Sequence, residues 1–164
     1  MIHPKNLKPQ NPKTPKPQIY DLLLKFLRYH MADEEVKAQT AGEEEITLFD
    51  KIVAGDIPAD IVYEDDICLA FRDISPAAKT HFLVIPKDRQ GLTMLSKAED
   101  KHKELLGHLM VATAKAAEKD GLSEGYRVVI NNGKFGCQSV YHLHIHVIGG
   151  EQLGWPPTGL DKKE

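Results

Sequence analysis

The most regular pattern of apolar and polar positions lies near the end of the chain, at Tyr141-His142-Leu143-His144-Ile145-His146-Val147-Ile148. Strict alternation predicts a strand, here over residues 140–148, because successive side chains point to opposite faces. One face carries Tyr141, Leu143, Ile145 and Val147 and is built for burial. The other carries His142, His144 and His146. Upstream, residues 47–55 predict a short helix with Thr47 as N-cap, Gly55 as stop, and Leu48, Phe49 and Ile52 on one face. Residues 61–64 and 67–74 read as strands joined by the turn Asp65-Asp66, and residues 81–86 as a third strand stopped by Pro86. Ser96-Lys97-Ala98-Glu99 has the form of a capping box, opening a helix that runs towards Asp120 and stops at Gly121. Within it Leu105, Leu109, Ala112 and Ala116 recur at helical spacing, with Leu106 and Met110 beside them, as a core stripe. His108 on that helix is expected at the surface or an interface. Residues 125–131 read as a fourth strand, followed by the loop Asn132-Gly133-Lys134-Phe135-Gly136. Two helices and five strands with short connections predict an α+β fold, an antiparallel sheet with the long helix on one face.

The beginning of the chain follows no such period. Residues 1–18 hold five of the ten prolines among lysine, asparagine and glutamine, a composition that cannot offset its ordering entropy by burial. Residues 19–30 could form a short helix. Composition then changes at Met31, from +5 over residues 1–30 to −8 over the rest. Met31 is therefore a candidate second start. Residues 1–46 are expected to be a disordered or weakly structured extension, and residues 47–164 the folded domain. Mitochondrial targeting by residues 1–30 is the alternative reading. It fits the basic charge but not the proline content, the single arginine or the lack of serine.

The remaining composition excludes more than it adds. A net charge of −3 on 164 residues gives no global sign of nucleic-acid binding. Two cysteines, Cys68 and Cys137, make no disulfide framework, and a reducing compartment is the default. No apolar run approaches the ~20 residues of a membrane span.

Three imidazoles on one strand face admit three readings. They could be satisfied structural polar groups. They could ligate a metal, since His-x-His supplies adjacent ligands and His81 could add another. Against that, three in line span about 13 Å at the strand rise, a poor tetrahedral shell. They could also serve nucleophilic catalysis, one imidazole attacking while its neighbours fix its tautomer.

His142-Leu143-His144-Ile145-His146-Val147-Ile148 resembles the histidine-triad motif. The likeness extends to Phe49-Asp50-Lys51-Ile52, Ile57-Pro58, Glu64-Asp65-Asp66, Phe71-Arg72-Asp73-Ile74-Ser75-Pro76 and Thr80-His81-Phe82-Leu83-Val84-Ile85-Pro86. It continues through Leu105-Leu106-Gly107-His108-Leu109-Met110, Gln138-Ser139-Val140-Tyr141 and Gly149-Gly150 to Trp155-Pro156-Pro157-Thr158-Gly159. Over residues 47–159 the chain is similar to the histidine-triad nucleotide-binding (Hint) branch of the histidine triad (HIT) superfamily, adenosine 5′-monophosphoramidases.

That resemblance implies a HIT-like fold, a five-stranded antiparallel sheet with a long and a short helix, in a homodimer that joins two sheets. It implies hydrolysis of purine nucleoside 5′-phosphoramidates, such as adenosine 5′-monophosphoramidate and aminoacyl-AMP-type conjugates, to the nucleoside monophosphate and an amine. His144 would be the nucleophile, forming a nucleotidyl-histidine. His146 would donate to phosphate oxygens, His142 and His81 would support, and Ser139 would donate to phosphate or assist the departing amine. Asp73 would take the ribose hydroxyls, and Ile52, Phe71 and Ile74 would sandwich the base. Asn131, Cys137 and Gln138 would line the ribose and phosphate side. No metal or cofactor is required in this scheme. Trp155 would lie near the partner subunit's site. A nucleotide-binding regulatory or adaptor protein with little turnover is the alternative function. Transcription regulators and lysyl-tRNA synthetase are the protein partners implied, with no direct nucleic acid and no membrane. The expected location is the cytoplasm, with the nucleus as a second site. Two departures bear on specificity: Lys87-Asp88-Arg89 stands where many members carry a histidine, and Phe135 and Cys137 occupy a loop that is usually small or acidic, with glycine common at Cys137.

Overall fold

The structure is a computed structural model, and it describes residues 34–43, 46–155 and 157. The expectations for residues 1–30 and for Met31 lie outside the described residues, as do Pro156, Thr158 and Gly159 of the tail.

The first described element is helix α1, Glu34–Thr40, in a stretch expected to be disordered or weakly structured. Lys37 and Ala38 of α1 are buried. The polar composition concealed this helix because it offers little apolar surface of its own and lies against the later 3-10 turn Lys134–Gly136.

Helix α2, Leu48–Val53, begins where the threonine predicted. Thr47 Oγ1 accepts the Asp50 N–H at 3.3 Å, and Asp50 Oδ2 accepts the Thr47 N–H at 2.6 Å, a reciprocal capping box. Gly55, at φ +78°, turns the chain away. Strands β1 (Ile61–Glu64), β2 (Cys68–Arg72), β3 (Thr80–Pro86), β4 (Tyr126–Val129) and β5 (Ile145–Gly149) form one antiparallel sheet in the order β1-β2-β3-β5-β4. In the β1–β2 turn, Asp65 Oδ1 accepts the N–H groups of Ile67 and Cys68 at 2.9 and 2.8 Å.

The long helix differs at its start. Ser96 does not cap it, because the Ser96 N–H donates to Asn132 Oδ1 at 2.7 Å. The chain instead makes 3-10 turns at Leu95–Lys97 and Asp100–His102 before helix α3, Lys103–Lys119. Glu99 and buried His102 form the reciprocal cap, and His102 Nε2 donates to Gln90 O at 3.2 Å. Helix α3 packs Leu105, Leu109, Ala112 and Ala116 onto Val62, Ala70, Phe82, Val84, Leu143, Ile145 and Val147. Each fully buried large aliphatic or phenyl side chain in that layer contributes roughly 1.5–3 kcal/mol. Met110, expected beside the stripe, is 48% exposed. His108 is not simply a surface residue: its Nε2 donates to Asp65 Oδ2 at 2.8 Å, tying α3 to the hairpin. At the far end of α3 the Arg72 guanidinium pairs in two-pronged fashion with Asp120.

The opposite face of the sheet is also covered. Leu69, Phe71, His81, Leu83 and Ile85 alternate with the α3-facing residues and are buried, as are Phe49 and Ile52 of α2. Register places Phe71 opposite Leu83, and Leu83 opposite His146. This second, aromatic and histidine-bearing face forms the site. Among the described residues no helix is long and apolar enough to cross a membrane.

Candidate active site

The histidine segment is only partly strand. Ladder pairing begins at Ile145, so His142 and His144 precede β5 in irregular backbone and His146 alone lies in it. The expected strand over 140–148 is shorter because bonds outside the sheet ladder divert the backbone. The Leu143 N–H donates to Leu92 O at 3.2 Å, and His144 Nδ1 lies 2.8 Å from His142 O. Nor is the histidine face open: His142 and His144 are buried, and Phe49 meets both rings edge-on, with centroids 5.8 and 5.2 Å away.

Hydrogen bonds assign the protons. A carbonyl can only accept, so His144 carries its proton on Nδ1 and leaves Nε2 as the lone-pair nitrogen. His142 likewise donates from Nε2 to Pro86 O at 2.8 Å. At His81 the Ala77 N–H donates to Nδ1 at 3.2 Å, so the proton sits on Nε2. That nitrogen lies 3.0 Å from His146 Nδ1, which must then accept. His146 is left with Nε2–H, a buried donor with no hydrogen-bond partner among the described residues. The rings of His144 and His146 are 4.9 Å apart, centroid to centroid. A lone-pair nitrogen and an unsatisfied donor therefore lie on neighbouring rings.

Electrostatics keep both supporting rings neutral. Burial pushes His142 down to about 4, against the Pro86 hydrogen bond and Asp50, which raise it. Burial, then the neighbouring His144 and His81, push His146 down to about 3. Asp50 is held below the usual carboxylate range. Its burial is opposed by hydrogen bonds from Thr47 and by the electrostatic influence of the His142 ring and the Arg89 guanidinium.

The other expected residues divide. Asp73, just past β2, lies with Oδ2 3.6 Å from His81 Nε2, and its Oδ1 accepts the Ser75 N–H at 2.8 Å. Phe71 and Ile52 are buried; Phe71 meets Phe49 edge-on at 5.6 Å. Ile74 is 53% exposed. The Asn131 amide donates to Cys137 O at 3.2 Å. Gln138 is fully buried, and its amide bonds Gly133 N–H, Thr93 O and Val140 O, so it shapes the loop before the triad rather than lining an open surface. Ser139 follows it, half-buried. Cys137 adopts φ +61° in the left-handed region. Trp155 is 86% exposed. Sequence reasoning did not place Phe49, Asp50, Thr47 or Arg89 at the site. The α2 capping box was the available signal for two of them.

Among the described residues two clusters bring three potential metal ligands within 4.8 Å, Asp73-His81-His146 and Asp65-Cys68-His108. Neither suits a cation as it stands. In the first, the lone pairs of His81 Nδ1 and His146 Nδ1 already accept N–H groups. In the second, Asp65 accepts four donors, and burial pushes the Cys68 thiol up to about 12, keeping it protonated.

The sequence pattern of the HIT domain matches residues 54–153. The chain belongs to the HIT family. HIT relatives include the 14 kDa zinc-binding protein of Zea mays, 52% identical over 127 residues, covering 77% of this chain and 99% of that protein. Adenylylsulfatase HINT1 of Arabidopsis thaliana is 52% identical over 128 residues, covering 77% and 87% respectively, which places the similarity in the Hint branch. Among solved HIT structures, a HIT family hydrolase from Legionella pneumophila matches with TM-score 0.65 at 45% identity, over 68% of this chain and 99% of that one. A histidine triad protein from Clostridium difficile matches with TM-score 0.63 at 39% identity, over 69% and 97%.

Proposed function

We propose that this HIT protein hydrolyses purine nucleoside 5′-phosphoramidates through a nucleotidyl-histidine on His144. The observation that carries the reading is the pairing of His144, protonated at Nδ1 by the His142 carbonyl bond, with the buried unpartnered Nε2–H of His146. Nε2 of His144 attacks phosphorus and the P–N bond breaks, its electron pair leaving with the amine, which takes up a proton from solvent with Ser139 assisting. Water then attacks the same phosphorus and releases a proton to solvent, the P–Nε2 bond breaks with its electron pair returning to Nε2, and nucleoside monophosphate departs with His144 restored. A neutral imidazole approaches an anionic phosphorus centre without the repulsion a carboxylate meets. The His146 donor contacts a non-bridging oxygen, and such donors contribute roughly 10²–10³ in rate. Asp73 takes the ribose, with Phe71 and Ile52 against the base.

The name of the Arabidopsis relative makes adenylyl sulfate a second substrate to compare. It offers the same adenylyl group with sulfate, not an amine, as the leaving group. A binding protein with little turnover is the alternative of another class. The test is incubation with a fluorogenic adenosine phosphoramidate, with adenylyl sulfate in parallel, for wild type and His144→Ala. Turnover lost in the variant supports the reading. AMP binding with no turnover in wild type supports the binding protein.

We also propose that the working unit is a homodimer. Helix α3 leaves Met110 and Val111 48% and 57% exposed, next to exposed Gly107 and Ala114, and β4 is an edge strand with Tyr126 exposed. A second copy would cover that apolar stripe.

A further inference from the structure

The segment bearing His142 and His144 lies outside the sheet ladder, so strand pairing does not hold the His142 carbonyl against His144 Nδ1. Other bonds do. His142 Nε2–H reaches Pro86 O, and the Gln138 amide reaches Val140 O at 3.0 Å. The Nδ1 side of His142 faces the start of α2. Asp50 Oδ1 and Thr47 Oγ1, both from the start of α2, each lie 3.4 Å from that nitrogen. Arg89, just past β3, places Nε 3.4 Å from the same Asp50 oxygen, and its Nη1 donates to Tyr141 O at 3.5 Å. Tyr141 immediately precedes His142. One guanidinium thus joins the carboxylate beside the His142 ring to the backbone that leads into it.

We propose that Arg89 is a positioning residue: by offsetting the Asp50 carboxylate and anchoring the Tyr141 carbonyl it keeps His142 neutral and in place, so that the His142 carbonyl fixes the His144 tautomer. The proposal rests on the reading of His144 as nucleophile. The electrostatic need is specific. His142 gives its proton to Pro86 O, so its Nδ1 presents a lone pair to a carboxylate oxygen. Two facing acceptors repel, or else the carboxylate draws a second proton onto the ring. A cationic His142 would oppose the positive charge that develops on His144 as it attacks. The Arg89 charge on that same oxygen offsets the carboxylate, while Thr47 Oγ1 donates to the other oxygen at 2.7 Å. A guanidinium is suited to this because its fixed fork can reach a carboxylate and a carbonyl together; a lysine supplies charge without the fork.

The test uses the full chain with Arg89→Gln, Arg89→Ala and Arg89→Lys. Measured are kcat and KM on an adenosine phosphoramidate, the melting temperature, and the tautomers of His142 and His144 by long-range ¹⁵N–¹H correlation. Arg89→Gln and Arg89→Ala are expected to lower kcat by about 10- to 100-fold with KM little changed, since small misplacements of reacting groups cost up to about 10² in rate. Their His144 signals should move from a single Nδ1–H tautomer to a mixture. Arg89→Lys should recover part of kcat and of the tautomer pattern. Wild-type kcat and an unchanged pattern in Arg89→Gln would overturn the proposal, as would a kcat loss that merely follows melting temperature and is not relieved by lysine. A wild type without turnover would defeat the phosphoramidase reading, and the tautomer pattern would still decide whether Arg89 acts on His144.

Discussion

His81 Nε2 lies 3.0 Å from His146 Nδ1, while the far side of the His81 ring accepts the Ala77 backbone N–H. Backbone geometry at Ala77 therefore sets the proton on His81, which sets the proton on His146, which faces the site as a donor. Removing His81 should free the His146 tautomer without touching substrate. His81→Ala is expected to lower kcat by about tenfold or more. His81→Gln should keep more activity, because its amide N–H can replace the imidazole donor. Steady-state kinetics of the two variants check this; equal loss in both would contradict the relay.

Burial of two neutral histidines makes stability fall on mild acidification. His142 and His146 titrate at about 4 and about 3 in the fold, against an ordinary value of about 6.5 in the unfolded chain. Their contribution is whole above that ordinary value. As pH falls below it, the unfolded chain binds protons that the folded chain refuses, and stability declines until the folded values are reached. The loss is on the order of a few kcal/mol across pH 6.5 to 4. Asp50 and Asp65, both lowered from 3.8, act only below that value. Urea midpoints at pH 7, 5.5 and 4.5 measure the effect, and a flat profile over that interval would contradict the neutral, buried assignment.

The close of β5 gives a steric prediction. A Cβ at Gly150, which sits at φ +79°, would lie 2.9 Å from Thr80 Oγ1 and 3.3 Å from Lys79 Cβ. Strain and crowding together should cost about 1–3 kcal/mol in Gly150→Ala. A calorimetric melting temperature within error of wild type would contradict it.

The alternation at residues 141–148 told which side chains join the core, since Leu143, Ile145 and Val147 all pack there. It could not tell that His142 and His144 leave the ladder. That depends on Leu92 and Pro86, carbonyls far away in sequence that capture Leu143 and His142. The α2 start was legible because Thr47 and Asp50 carry its cap locally. The α3 start was not, because Asn132 takes up the Ser96 N–H and buried His102 replaces it. Helix α1 was hidden for a similar reason, its burial being supplied by a loop about a hundred residues later. Arg89 was visible as a departure from the family pattern, yet its use required Asp50, Tyr141 and His142 to be brought together by three separate elements.

Cys137 shows a departure with an energetic sign. It is a non-glycine residue at φ +61°, in the loop before Ser139. The left-handed region disfavours a residue with a Cβ by about 1–2 kcal/mol, and glycine's greater unfolded freedom returns roughly 0.5–1. Cys137→Gly is therefore expected to stabilise by up to about 1 kcal/mol. Chemical denaturation measures it, and a clear loss of stability would mean that the side chain makes compensating contacts.

Catalysis by this site turns on one bond, between His144 Nε2 and phosphorus. Rapid quench of wild type with an adenosine phosphoramidate, followed by peptide mass spectrometry under conditions that preserve phosphoramidate linkages, looks for it directly. An adenylate is expected on the peptide containing His144, formed as fast as amine is released and absent from His144→Ala. An adenylate carried by another residue, or amine release at wild-type rate in His144→Ala, would contradict it.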